Sequence, residues 1–109
     1  MSHLGRPKGK DKNYSLFPVY QYLKSIFHNR RIFFSDDSIS NSSIRTSLEM
    51  KSKDIHLLEN LRFYKEEKQG DINFAKQLSE LADVYVNDAF GTAHRSHAST
   101  SIIASFFPN

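Results

Sequence analysis

Apolar residues recur at helical spacing over residues 15–27, "SLFPVYQYLKSIF", where Leu16, Val19, Tyr20, Leu23, Ile26 and Phe27 share one face. Ser15 stands where an N-cap belongs, and Pro18 falls in the first turn, where a missing N–H is tolerated. The pattern predicts a helix that starts near Ser15. "RRIFFS" follows as a short β-type run and ends in "SDDS", which supplies turn chemistry. Residues 40–50 place Ile44 and Leu48 four apart, although the Ser and Asn between and around them are poor helix formers. "DIHLLEN", residues 54–60, reads as an apolar strand bounded by polar residues. Lys65, Glu66, Glu67 and Lys68 then read as a solvated charge run on an exposed loop. Over residues 71–82, Asp71 is placed as a cap, and Ile72, Ala75, Leu78 and Leu81 form one apolar face. "DVYVND" predicts a further strand, and residues 99–107 open a last helix with Ser99 or Thr100 as its cap.

Strands alternating with helices predict an α/β fold: right-handed βαβ units on a parallel sheet with flanking helices. At 109 residues the chain is at most one domain, and 39% hydrophobic content with nine Phe and five Tyr suits a packed core. No internal repeat or low-complexity tract is present. The absence of cysteine removes disulfides, thiolate metal sites and cysteine nucleophiles, and fits an intracellular setting. The opening residues lack the apolar stretch of a secretory signal, and no window is apolar enough to span a membrane, so the chain reads as soluble and cytoplasmic.

The net charge of +3 is concentrated in the first fourteen residues, which hold four Lys or Arg against one Asp. In open parallel sheets, ligands bind beyond the carboxyl ends of the strands. Arg62 follows the strand of "IHLLEN", Arg95 lies in the loop after "VYV", and Arg6 follows "MSHLG", read as the tail of a strand. A guanidinium is always charged, and its planar fork matches phosphate or carboxylate oxygens in pairs. Three of them at strand exits describe a site for a small, multiply charged anion. His3 and His94 supply further donors, and Gly91 lets the backbone turn or approach a ligand.

Each of these residues also has a structural reading. A single loop arginine is commonly a solvated charge or an ion-pair member, His97 suits a bond to a backbone carbonyl, and Asp88 suits a turn cap. His94-x-x-His97 lacks a third ligand at a zinc spacing and the glutamate of an H-E-x-x-H site. Neither phosphate-loop glycine motif occurs, so no nucleotide site is visible. Nucleic acid is disfavoured because the basic arm contains no interleaved aromatics.

"SHLGRPKGK", "LLENLRFYKEE" and "LADVYVNDAFGTAHRSHAST" together closely resemble the N-terminal domain of phosphoglycerate kinases, in the same order and over nearly the whole chain. The resemblance implies a Rossmann-like parallel α/β domain. It also implies a glycolytic enzyme that transfers a phosphoryl group reversibly between 1,3-bisphosphoglycerate and ADP, giving 3-phosphoglycerate and ATP with magnesium. In that family the N-terminal domain holds the phosphoglycerate on a basic patch, and a C-terminal domain holds the nucleotide. His3, Arg6, Arg62 and Arg95 match the residues that grip the phosphate end of the substrate, with Gly91 and His94 as supporting members of the last motif.

The family's Arg-x-Asp-[Phe/Tyr]-Asn strand and its nucleotide domain have no counterpart here. The resemblance therefore implies that residues 1–109 are an incomplete substrate-binding domain, lacking its first strand and inactive by itself. Its own cofactor set is empty, and the family is typically monomeric. A standalone anion-binding or interaction module derived from the family is the alternative.

Overall fold

The computed structural model describes residues 1–89, 91 and 95–108. The chain divides into two compact units, Met1–Phe63 and Tyr64–Asn109.

In the first unit, helix α1 spans Phe17–Ile26, strand β1 Ile32–Ser35, helix α2 Asn41–Leu48 and strand β2 Ile55–Leu58. The two strands pair in parallel, from Ile32 opposite Ile55 to Ser35 opposite Leu58. Together with α2 they make the predicted β-α-β unit, and the fold class is α/β. Helix α1 begins two residues later than Ser15 because a more distant group caps it. Buried Glu59, just past β2, accepts the N–H of Leu16 at 2.7 Å and the hydroxyl of Ser15 at 2.6 Å. Ser15 in turn accepts the N–H of Phe17 at 3.1 Å. A carboxylate placed there satisfies amide groups that the helix cannot and complements the positive end of its dipole. The helix packs its aromatic side on β1, with the rings of Phe17, Tyr20 and Phe34 each 5.5 Å from the other two.

Helix α2 forms despite its serines because Ser40 caps it, accepting the N–H of Ser43 at 3.1 Å, and because Ser43 itself is buried and donates to the Ser38 carbonyl. Half-buried His56 of β2 bridges the elements. Its Nε2 lies 2.7 Å from the Ser35 hydroxyl of β1 and its Nδ1 lies 2.9 Å from the Ser47 hydroxyl of α2. At the amino ends of the strands, Arg31 holds Asp54 with both a Nε and a Nη bond.

The second unit holds helix α3, Lys65–Gln69, helix α4, Ile72–Ser79, and a 3₁₀ turn at Ile102–Phe106. The charge run at residues 65–68 is therefore helical, and Glu67 is buried instead of solvated. It accepts the hydroxyl of Ser99 at 2.5 Å and also the N–H of Ser99, while its carbonyl accepts the N–H of Ala98. Gly70 ends α3 at φ +64°, and a Cβ there would collide with the carbonyl oxygen of Ser96. Asp71 caps α4 as the spacing predicts, accepting the N–H of Phe74 at 2.8 Å. The buried face of α4 is Phe74, Ala75 and Leu78, and the helix packs on the 3₁₀ turn that carries buried Ile103. Ile72 stays 60% exposed, and Leu81 lies beyond the helix end. The register is shifted because the ring of Tyr64 draws Phe74 inward, at a centroid distance of 5.0 Å.

The strand predicted for "VYV" does not form among the described residues. A ladder needs a neighbouring strand, and none of the backbone groups of residues 84–88 is hydrogen-bonded there. The closing helix is a 3₁₀ turn whose cap position is Ser101, without a side-chain cap bond, instead of Ser99 or Thr100. No helix among the described residues is long and apolar enough to cross a membrane.

Candidate functional site

The carboxyl end of β2 is where the first unit gathers its sequence motifs. Residues 59–62 leave the strand as Glu59, Asn60, Leu61 and Arg62, all buried. Polar side chains are buried only when their hydrogen bonds are met, and here the partners come from the N-terminal arm. Asn60 is fully buried, and its Nδ2 donates to the carbonyls of Leu4 and Tyr14, each at 2.9 Å. Its Oδ1 accepts the N–H of Arg62 at 3.0 Å. The N–H of Leu61 donates to the carbonyl of Ser2 at 3.1 Å. The amide of Asn60 is thus a clamp: it holds the segment bearing His3 and Arg6 against the exit that carries Arg62.

The arm is not a strand, as "MSHLG" suggests, but a loop held by these discrete bonds. Gly5 explains its course. It sits at φ +61°, and a Cβ there would lie 2.6 Å from the ring of Tyr14. Both the left-handed backbone and the close approach require glycine. His3 and Arg6 are exposed, whereas Arg62 retains 6% of its surface. Its burial removes the reading of Arg62 as a solvated loop charge.

Arg95 belongs to the second unit and is half-buried. Its carbonyl accepts the hydroxyl of Thr100 at 3.2 Å, and the carbonyl of the half-buried His97 accepts the N–H groups of Thr100, Ser101 and Ile102 at 3.1 to 3.3 Å. The segment after Arg95 is therefore tied back on itself and, through Ala98 and Ser99, onto Glu67. Gly91 is exposed, and a Cβ there would meet nothing within 4 Å. His94 lies outside the described residues. Among those that are described, no three His, Cys, Asp or Glu side chains gather as a metal-ligand set.

Sequence reasoning missed Glu59, Asn60, Gly5 and Glu67. A Glu-Asn pair directly after an apolar strand, where burial disfavours polar groups, was the available signal for the first two.

The family model for phosphoglycerate kinase matches residues 1–109, the whole chain. The chain belongs to the phosphoglycerate kinase family. It is 52% identical over 109 residues to phosphoglycerate kinase of Wolbachia pipientis wMel, with all of this chain and 27% of that relative covered. It is 49% identical over 110 residues to the enzyme of Borreliella burgdorferi strain ZS7, covering 28% of it. Among solved structures, phosphoglycerate kinase from Coxiella burnetii superposes with a TM-score of 0.76 at 35% identity, over 97% of this chain and 26% of that one. The enzyme from Pyrococcus horikoshii OT3 gives 0.77 at 32%, over 97% and 27%. The chain spans about a quarter of the length of the curated relatives it matches.

Proposed function

We propose that this chain is part of the phosphoglycerate-binding domain of a phosphoglycerate kinase, and that it holds the phosphate end of 3-phosphoglycerate or 1,3-bisphosphoglycerate. His3, Arg6, Arg62 and Arg95 are the gripping residues, with Gly91 and His94 in support. The observation that carries this reading is the Asn60 clamp, which fixes the His3 to Arg6 segment at the same strand exit as Arg62. One buried and one exposed guanidinium, on segments tied to the same strand exit, suit an anion that must be oriented and not merely attracted.

Phosphoryl transfer is mainly positioning and electrostatic stabilisation, and it needs nucleotide, metal and acceptor held in line. On this reading the nucleotide and its magnesium are held by the family's other domain, and these residues supply the acceptor's site alone. A coupled assay of ATP-dependent phosphorylation of 3-phosphoglycerate tests the assignment. The purified chain is expected to give no turnover. Turnover that persists after removal of host phosphoglycerate kinase would overturn the half-site reading.

A further inference from the structure

Glu67 is an acid buried within α3, and a charge is costly to bury unless its hydrogen bonds are met. Its carboxylate holds Ser99, in the segment that follows Arg95. It accepts the Ser99 hydroxyl at 2.5 Å, and the Ser99 N–H lies 3.2 and 3.3 Å from its two oxygens. The backbone carbonyl of Glu67 accepts the N–H of fully buried Ala98 at 2.9 Å. Where α3 ends, the carbonyl of Ser96 lies so close to Gly70 that a Cβ there would collide with it. Ser96, Ala98 and Ser99 are thus all docked on α3. Arg95 is joined to them by its own carbonyl, which accepts the hydroxyl of Thr100 at 3.2 Å. From a second direction the hydroxyl of Tyr85 donates to the carbonyls of Ser99 and Thr100, at 2.8 and 3.3 Å. Burial, and after it the charge of Glu67, push the Tyr85 phenol up, so it stays protonated as a donor.

We propose that Glu67 is a positioning residue for Arg95: by fixing Ser99 it sets the backbone from which that guanidinium reaches a phosphate. The proposal rests on the reading of Arg95 as a gripping residue. A paired guanidinium contact demands that two N–H groups line up with two oxygens at once, so its strength depends on where its root is held. The bond from Ala98 could be accepted by the carbonyl of any residue at position 67. Only an ionised carboxylate there accepts both the hydroxyl and the N–H of Ser99 without offering a donor of its own. A glutamine would turn an amide N–H₂ toward one of those donors. Packing alone does not call for a charge at this position, since an apolar side chain of similar size would fill the space without the cost of desolvation.

A double-mutant cycle on the full chain tests the proposal, with 3-phosphoglycerate affinity measured by calorimetry at low salt for the parent, Glu67→Gln, Arg95→Ala and the double variant. Arg95→Ala should weaken binding roughly tenfold, the scale of a hydrogen bond to a charged group. Glu67→Gln should weaken it by about threefold to fivefold, a part of that loss, and should have no further effect once Arg95 is alanine. The direction is itself diagnostic. Removing a negative charge that acted only through its field would tighten the binding of an anion. Ser99→Ala and Ser99→Thr test the same link from its other end, and they carry the test if Glu67→Gln does not fold. Alanine should reproduce the loss, and threonine, which keeps the hydroxyl, should restore parent affinity. Equal losses from Glu67→Gln with and without Arg95, tighter binding by Glu67→Gln, or a Ser99→Ala loss that threonine does not restore overturns the proposal while leaving the phosphate site standing. Arg95→Ala at parent affinity overturns the reading of Arg95 itself, and the proposal with it.

Discussion

At the scale of single residues, Asn60 has more consequence than its size suggests. Truncating it to alanine deprives the part-buried carbonyls of Leu4 and Tyr14 of their donor, and removes the acceptor for the buried Arg62 N–H. Leaving a buried polar group unsatisfied costs about 1 to 3 kcal/mol. Asn60→Ala is therefore expected to destabilise the first unit by about 2 to 4 kcal/mol in urea unfolding. It should also free the arm, so that the amides of residues 2–6 lose protection in hydrogen exchange. Unchanged stability would mean that the clamp is not what holds the arm. His56 makes a prediction about pH. Burial lowers its pKa, and the α-ammonium of Met1 lowers it further. The folded state thus favours the neutral ring. Its contribution to stability is complete above the ordinary histidine value of about 6.5. It is lost as the pH falls through that value toward the lower folded one. Stability measured between neutral and mildly acidic pH should fall more steeply for the parent than for His56→Gln, and equal slopes would refute the assignment.

Among the elements, α3 is the one whose role depends on distant chain. Glu67 is buried within it and held by the hydroxyl and N–H of Ser99, 32 residues later. Ser99→Ala removes a charge-assisted bond and should cost about 1.5 to 3 kcal/mol. Loss should appear first as exchange of the amides around residues 96–103, because these bonds tie that segment to α3. The same contrast explains what was legible in the sequence. Helices α1 and α4 and strands β1 and β2 follow from local periodicity and caps, and they occur where the pattern places them. Burial of Glu67 was not legible, because a charge run looks solvated unless its partner is known. Nor was the absence of a ladder at "VYV": local propensity specifies an extended chain, but a strand needs a neighbour.

For the whole molecule, the residue types and order of the motifs were sufficient to place the chain in its family, and the structure adds how one part of the candidate site is held. Arg62 was readable at a strand exit because it follows the apolar run of β2, whereas the segments before Arg6 and Arg95 form no strand among the described residues. The clamp was not, because its partners lie 46 and 56 residues from Asn60. The central claim is that these residues bind the phosphate end of phosphoglycerate, and it is tested most directly by calorimetric titration of the folded chain with 3-phosphoglycerate at low and high salt. Saturable binding is predicted at low salt, weakening as salt rises because an open site leaves its charges to compete with counterions. Arg6→Ala, at an exposed position, should reduce that affinity roughly tenfold or more, the scale of one hydrogen bond to a charged group. A chain shown to be folded by dispersed amide signals that takes up no 3-phosphoglycerate, or takes it up equally well after Arg6→Ala, would contradict the account.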